Sequence, residues 1–277
     1  MEYVKLGNTG MEVSKLCLGC MGFGEPERGR EKWSIGEAES REVIKKALDS
    51  GINFFDTANL YSAGSSEEIV GKALKDFANR DDIVLASKLY FPMFDGPNAK
   101  GLSRKSIFAE IDHSLKRLQT DYLDLYIIHR WDYDTPIEET MEALHDLVKM
   151  GKVRYIGASS MHAWQFAKAQ FTAEKNGWTK FVSMQNLYNL LYREEEREMI
   201  PLLQDQNVAM TPWSPLAGGR LTRDIGAVTA RTSQAVQADL PAYVVASNNE
   251  VISRVHKLAD ERGITRGQVA TAWMLSK

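Results

Sequence analysis

Asp56, Tyr61, Lys88 and His129 are side chains of the types needed to exchange a proton with a carbonyl oxygen. A free tyrosine gives up its proton near about pH 10, too high for ready exchange at neutral pH. A lysine ammonium beside the phenol favours the phenolate and lowers that value. A carboxylate such as Asp56 would hold the lysine charged and oriented. His129 could hydrogen-bond a carbonyl oxygen or relay the proton to it. Together the four form a general acid for reducing a carbonyl, lacking only a hydride donor.

Residues further along could hold that donor. Ser159, Ser160 and Gln185 offer hydrogen bonds suited to a carboxamide, and Trp213 offers a flat face for a nicotinamide ring. The run Ser214-Pro215-Leu216-Ala217-Gly218-Gly219 is a small-residue loop whose backbone N–H groups could approach a pyrophosphate. It follows the seventh expected strand, where (β/α)8 barrels commonly bind phosphate.

The elements that must position these residues alternate strictly. Residues 53–56, 83–88, 122–128, 153–158, 181–185 and 208–211 are short, nearly continuous apolar runs, as parallel strands covered on both faces should be. Amphipathic stretches lie between them. Ile107, Ile111, Leu115 and Leu118 share one helical face, and Val43, Ile44, Ala47 and Leu48 line another that Gly51 closes. Thr135-Pro136-Ile137-Glu138, with Pro at the first helical position, and Ser65-Ser66-Glu67-Glu68 both read as capping boxes. Ahead of the series, Tyr3-Val4-Lys5-Leu6, Gly7-Asn8-Thr9-Gly10 and Met11-Glu12-Val13 predict a β-hairpin.

Repeated β-then-α units allow an open doubly wound sheet or a closed barrel. Polar or stacking groups end six successive strands at Asp56, Lys88, His129, Ser159-Ser160, Gln185 and Trp213-Ser214. A doubly wound sheet would gather its site at one switch point. The expected fold is therefore an α/β protein, a (β/α)8 TIM barrel with an N-terminal hairpin, in a single domain over residues 1–277.

At this point the sequence resembles the aldo-keto reductases along essentially its whole length. The resemblance is carried by Phe55-Asp56-Thr57-Ala58-Asn59-Leu60-Tyr61, Ser87-Lys88, Asp124-Leu125-Tyr126-Ile127-Ile128-His129, the run from Gly151 to Ser159, and Pro212-Trp213-Ser214-Pro215-Leu216. Within the family it looks most like a bacterial branch near aryl-alcohol dehydrogenases, 1-deoxyxylulose-5-phosphate synthase-like reductases and potassium-channel β subunits. The resemblance implies that Tyr61 donates the proton, that Lys88 and Asp56 tune it, and that His129 orients the carbonyl of a small-molecule aldehyde or ketone. It implies NADPH as cofactor, with Met21, Asp56, Ser159, Ser160, Gln185 and Trp213 around the nicotinamide and Ser214, Pro215, Leu216, Ala217 and Gly218 at the pyrophosphate. NAD stays open.

Two departures matter. Many relatives carry Ser-Asn or Ser-Arg in place of Ser159-Ser160. Many read Leu-Thr-Gly-Lys in place of Leu221-Thr222-Arg223-Asp224, so the basic partner of the cofactor phosphates is Arg220, Arg223 or Arg231. Tyr90, Arg130 and Trp131 are candidate substrate contacts, with Phe23 and Phe91 as further aromatic wall. Two other functions share this fold: an NADPH-sensing regulatory subunit of low turnover, and a phosphosugar-converting enzyme in which Arg130 and Trp131 meet a phosphate.

Composition removes other classes. Thirty-four basic against 37 acidic side chains, a net charge of −3, lack the basic excess of a nucleic-acid binder. No basic leader precedes an apolar segment, and no apolar run reaches the roughly 18 residues of a membrane span. The expectation is a cytoplasmic protein without nucleic-acid or membrane partners, and with a homo-oligomer open. Cys17-Leu18-Gly19-Cys20 ends an apolar run instead of opening a helix, so it reads as strand packing, not redox chemistry. No second Cys/His pair completes a zinc site, and no metal is expected. A barrel glycosidase would need two facing carboxylates at strand ends, where this chain has His129 and Trp213. The chain's 277 residues yield seven strands after Leu16, and its last elements read as helices over 250–261 and 266–275. Relatives continue into an eighth strand and helix carrying much of the adenosine 2′-phosphate site, so the sequence is expected to be C-terminally incomplete.

Overall fold

In a computed structural model the described residues are 1–227 and 248–277. Strands β1 (Tyr3–Lys5) and β2 (Glu12–Ser14) pair antiparallel, as the hairpin signal predicts. The turn between them lies against sheet backbone. A methyl group on Gly7, which sits at φ +56°, would stand 2.8 Å from Ala209 N and 2.9 Å from Val182 O, so only glycine fits there. Leu6 and Val13 pack in one buried cluster with Phe54, Val84, Ala86, Leu125, Ile127 and Val182.

The main sheet has seven strands among the described residues: β3 (Cys17–Gly19), β4 (Phe54–Asp56), β5 (Val84–Leu89), β6 (Leu123–Ile128), β7 (Val153–Ser159), β8 (Phe181–Gln185) and β9 (Ala209–Met210). Each lies beside its neighbour in sequence, and the pairings β3–β4, β4–β5, β5–β6, β6–β7 and β8–β9 are parallel. This singly wound order, with a helix following most strands, is that of a (β/α)8 barrel; a doubly wound sheet would reverse its strand order. β5 and β6 are buried at every position, which is why their sequences run apolar without alternation. β9 is only two residues long where four were expected.

The crossover helices are α1 (Glu37–Asp49), α2 (Ser65–Phe77), α3 (Arg104–Leu118), α4 (Ile137–Lys149), α5 (Ala163–Asn176) and α6 (Met199–Asp205). Ile107, Ile111 and Leu118 bury the expected face of α3. On α1 the buried face is Ser40, Ile44 and Ala47, while Val43 is exposed. Neither capping box forms. Thr135 Oγ1 donates to Asp132 Oδ2 at 2.7 Å, and Pro136 takes the N-cap position, so the helix starts one residue later than expected. Ser65 Oγ donates to Ser62 O and Ser66 Oγ to Cys20 O, because α2 starts at Ser65 with Gly64 as its cap.

The chain divides into two compact units, Met1–Met184 with Leu202–Met210, and Gln185–Pro201 with Thr211–Lys277. In the second, α7 (Asn249–Arg262) and α8 (Arg266–Leu275) occupy the two predicted terminal helices. They pack Ile252, Val255, Ala259, Val269 and Ala270 against Leu191, Ala217 and Leu221. Among the described residues, no helix is long and apolar enough to cross a membrane.

Candidate active site

The sheet delivers the four proposed proton-handling residues to one end. Asp56 closes β4, Lys88 is the penultimate residue of β5, and His129 follows β6 with its N–H on Leu89 O at 2.9 Å. Tyr61 stands in a 3-10 turn, Tyr61–Gly64, between β4 and α2. All four are buried, Lys88 completely.

Lys88 Nζ makes three hydrogen bonds. It donates to Asp56 Oδ2 at 2.6 Å, to Thr57 O at 2.8 Å and to Tyr61 Oη at 3.0 Å. An ammonium has three protons, and all three are placed. Burial works against its charge, but Asp56 and Tyr61 outweigh burial and raise the lysine pKa above its ordinary value. Lys88 is therefore a permanent cation. The Tyr61 phenol goes up as well: burial dominates, Lys88 opposes it, and Asp56 adds to the rise. Here the structure corrects the expected tuning. Lys88 does favour the phenolate, yet desolvation is the larger effect, so Tyr61 is a neutral phenol at neutral pH.

His129 lies edge-on to Tyr61, ring centroids 5.9 Å apart, and edge-on to Phe91 at 5.1 Å. Burial first, then the Lys88 and Arg130 charges, push its pKa well below the ordinary histidine value. It is a neutral imidazole whose buried Nδ1 has no hydrogen-bond partner among the described residues.

Of the expected substrate-wall residues, Phe91 and Arg130 meet this histidine directly. The Arg130 guanidinium stands 5.3 Å from the Phe91 ring centroid and donates to His129 O at 2.7 Å. Tyr90 packs on Phe91 at 5.3 Å, and Trp131 on Trp164 at 6.0 Å. Of the expected cofactor contacts in this unit, Met21 follows Cys20, whose N–H bonds Asp56 O at 2.8 Å. Ser159 ends β7, and its Oγ lies 3.1 Å from Ser160 Oγ. Cys20 is buried, and burial pushes its thiol pKa up, the opposite of a reactive cysteine.

Within the second unit, Gln185 is buried, and Trp213 pairs with Leu187 through an isolated parallel bridge, its N–H on Asn186 O at 3.0 Å. The loop after it bends repeatedly to the left-handed region, at Ser214 (φ 54°), Ala217 (φ 51°), Gly218 (φ 65°) and Gly219 (φ 94°). Asn189 Nδ2 holds Ser214 O at 3.0 Å, while Pro215 is exposed and Leu216 packs on the helical cluster. Arg223 Nη1 would stand 2.7 Å from a methyl on Gly219, and Arg220 follows the 3-10 turn Ala217–Gly219. Arg231 lies outside the described residues.

Some contributors left no mark in the sequence. Thr57 serves Lys88 through its carbonyl, which carries no residue signature. Glu67, read as part of a cap, is a fully buried carboxylate that accepts from Ser87 Oγ and from Arg117 Nε at 2.6 Å. Only its apolar neighbours Ile69 and Val70 hinted that this helix face is internal.

The pattern of the aldo/keto reductase family matches residues 15–277. A versiconal hemiacetal acetate reductase of Aspergillus parasiticus is 46% identical over 297 residues, covering 100% of this chain and 86% of that protein. A putative aryl-alcohol dehydrogenase of Schizosaccharomyces pombe is 46% identical over 303 residues, 99% of this chain and 85% of its own length. An aldo-keto reductase of Alternaria alternata is 45% identical over 297 residues, with 98% and 80% covered. These relatives are fungal and lend nothing to the bacterial branch suggested by the motifs. The chain belongs to the aldo/keto reductase family, and it is an oxidoreductase.

Proposed function

We propose that this chain reduces an aldehyde or ketone to the alcohol with NADPH, and that Tyr61 donates the proton. The observation that carries this reading is the Lys88 ammonium, bonded at once to Asp56 and to Tyr61 Oη. The bound nicotinamide would supply the hydride to the carbonyl carbon.

The chain's own residues account for the rest. Neutral His129 hydrogen-bonds the carbonyl oxygen through its imidazole and adds no charge of its own to the pocket. As negative charge grows on that oxygen, Tyr61 Oη transfers its proton to it. Lys88 stabilises the phenolate left behind, and Asp56 keeps Lys88 charged and aimed. Solvent then returns a proton to Tyr61. The burial that raises Tyr61 keeps it loaded before each turnover.

The residues fit the cofactor. The loop bends through three successive left-handed residues at 217–219, and a methyl on Gly218 would meet nothing within 4 Å, which leaves room for a phosphate group to approach its backbone. Ser214, Pro215, Leu216, Ala217 and Gly218 would hold the pyrophosphate, with Arg220 and Arg223 as cationic partners. Ser159, Ser160, Gln185, Trp213 and Met21 would hold the nicotinamide end. The aromatic groups Tyr90, Phe91 and Trp131 suit an aromatic carbonyl, in keeping with the aryl-alcohol dehydrogenase name of a relative. A cytoplasmic location is part of the same reading.

The test is Tyr61→Phe assayed with NADPH against a panel of aromatic and aliphatic aldehydes. Loss of about a hundredfold or more in kcat is expected for a general acid. Unchanged turnover would sink the mechanism. Negligible turnover by the unaltered protein, with NADPH still bound tightly, would favour the regulatory subunit instead.

A further inference from the structure

The two residues after Tyr61 lie in the left-handed region without being glycine: Ser62 at φ 45° and Ala63 at φ 51°, with Gly64 next at φ 89°. A non-glycine residue there opposes its own Cβ and persists only where the surroundings over-determine it. The surroundings come largely from one segment. Between β3 and α1 the chain makes a loop closed at its base, with Gly24 N–H on Ile35 O at 3.0 Å and Ile35 N–H on Gly22 O at 2.8 Å.

This loop reaches the turn at several points. The Glu31 carboxylate, 4% exposed, accepts the Ser62 N–H at 3.2 Å. Arg28 Nη2 donates to Ala63 O at 3.1 Å while the same guanidinium grips Glu68 at 2.7 and 3.0 Å. Glu25 N–H donates to Ser65 Oγ at 2.9 Å, and that hydroxyl donates to Ser62 O at 2.8 Å. Two glycines press directly on the turn. A methyl on Gly29 would stand 2.4 Å from Ser62 Cα, and one on Gly24 2.3 Å from Ser62 Cβ.

We propose that the loop between β3 and α1 is a strap that holds the left-handed turn and thereby fixes Tyr61 Oη against Lys88, with Glu31 and Arg28 as positioning residues for the proton donor. The proposal rests on Tyr61 being that donor. A carboxylate held inside the protein must satisfy its oxygens with donors, and Glu31 finds a backbone N–H at the strained residue itself. Arg28 anchors the next residue by its carbonyl and ties it to α2 through Glu68. The strap works through backbone, so it fixes the tyrosine without contributing a group to the chemistry.

The test uses the full chain with NADPH and 4-nitrobenzaldehyde. Glu31→Ala is expected to lower kcat about tenfold or more, as a misplaced catalytic group does, while the KM for NADPH stays within about twofold. Glu31→Gln keeps the acceptor oxygen and restores kcat. Adding Ser62→Gly to Glu31→Ala also restores kcat, because glycine adopts the left-handed conformation unaided; a loop that merely supports the fold would not be relieved this way. Arg28→Ala, at a side chain 37% exposed, keeps the fold and carries the test even where Glu31→Ala does not fold; its kcat is expected to fall with KM unchanged. Wild-type kcat in both alanine variants, or in Arg28→Ala alone where Glu31→Ala does not fold, overturns the strap. So does a Glu31→Ala loss that Ser62→Gly fails to relieve. Tyr61→Phe run alongside separates the two claims: if it stays active, the proton-donor reading falls and takes the strap with it, whereas an inactive Tyr61→Phe beside fully active strap variants removes the strap alone.

Discussion

Lys88 Nζ stands 3.0 Å from Tyr61 Oη and 2.6 Å from Asp56 Oδ2, so a single buried ammonium is both half of an ion pair and a donor to the phenol. The two roles predict different outcomes for two substitutions. Lys88→Met removes the cation that faces Asp56 inside the protein. Breaking such a pair costs about 3–5 kcal/mol, which urea unfolding would read directly. Activity falls as well, since the phenolate loses its stabilising charge. Asp56→Asn also breaks the ion pair but keeps an amide oxygen to accept from the ammonium, so its expected effect is a smaller loss of stability with a large loss of kcat. Equal stability for Lys88→Met and the unaltered protein would contradict the ion pair.

The pH dependence follows from the directions of two shifts. His129 is held well below its ordinary value, so it does not titrate on the way down through about pH 6.5. Tyr61 is raised, so its proton is retained well into the alkaline range. Carbonyl reduction should therefore show a flat kcat from about pH 6 to 8, falling only as the pH climbs toward the tyrosine. Alcohol oxidation needs the phenolate and should rise in that alkaline range. A reduction rate that drops with an inflection near about pH 6.5 would mean that His129 gains a proton.

The same histidine makes stability depend on pH. Its folded pKa is depressed, so below about pH 6.5 the unfolded chain binds a proton that the folded chain refuses. Stability is thus lost as the pH falls through the unfolded value and continues to fall toward the folded one. His129→Gln removes that contribution. Thermal melts between about pH 7 and 5 should show a shallower decline in Tm for the variant. Parallel declines would show that other groups dominate.

Much of the fold, and the gathering of the four proposed proton-handling residues at one end of the sheet, were legible because their signals are local. An apolar run ending in Asp56, Lys88 or His129 states both a strand and the residue at its end. Other features depend on partners distant in sequence. Glu67 and Glu68 look alike in the chain, yet Glu67 is buried against Arg117 and Ser87 while Glu68 meets Arg28 at the surface. The cap expected at Ser65 failed because Ser62 and Cys20 carbonyls claimed the hydroxyls. The direction of the Tyr61 shift was also illegible, because proximity of Lys88 can be guessed from spacing and the depth of burial cannot.

Glu67 offers a last prediction of a purely energetic kind. Its carboxylate is fully buried, and Arg117 Nε meets it at 2.6 Å from a side chain that is itself mostly covered. The pair links α2 to α3, where a methyl on Gly71 would stand 2.4 Å from Leu118 O, so the two helices have no slack in which to rearrange. Arg117→Met leaves the carboxylate without its cation and should destabilise by about 3–5 kcal/mol. Glu67→Gln on that background removes the stranded charge and keeps an amide for Ser87, so the double variant should recover much of the loss. A double-mutant cycle by urea unfolding measures the coupling. Additive losses would show that Glu67 draws its support from Ser87 and its other surroundings, not from Arg117.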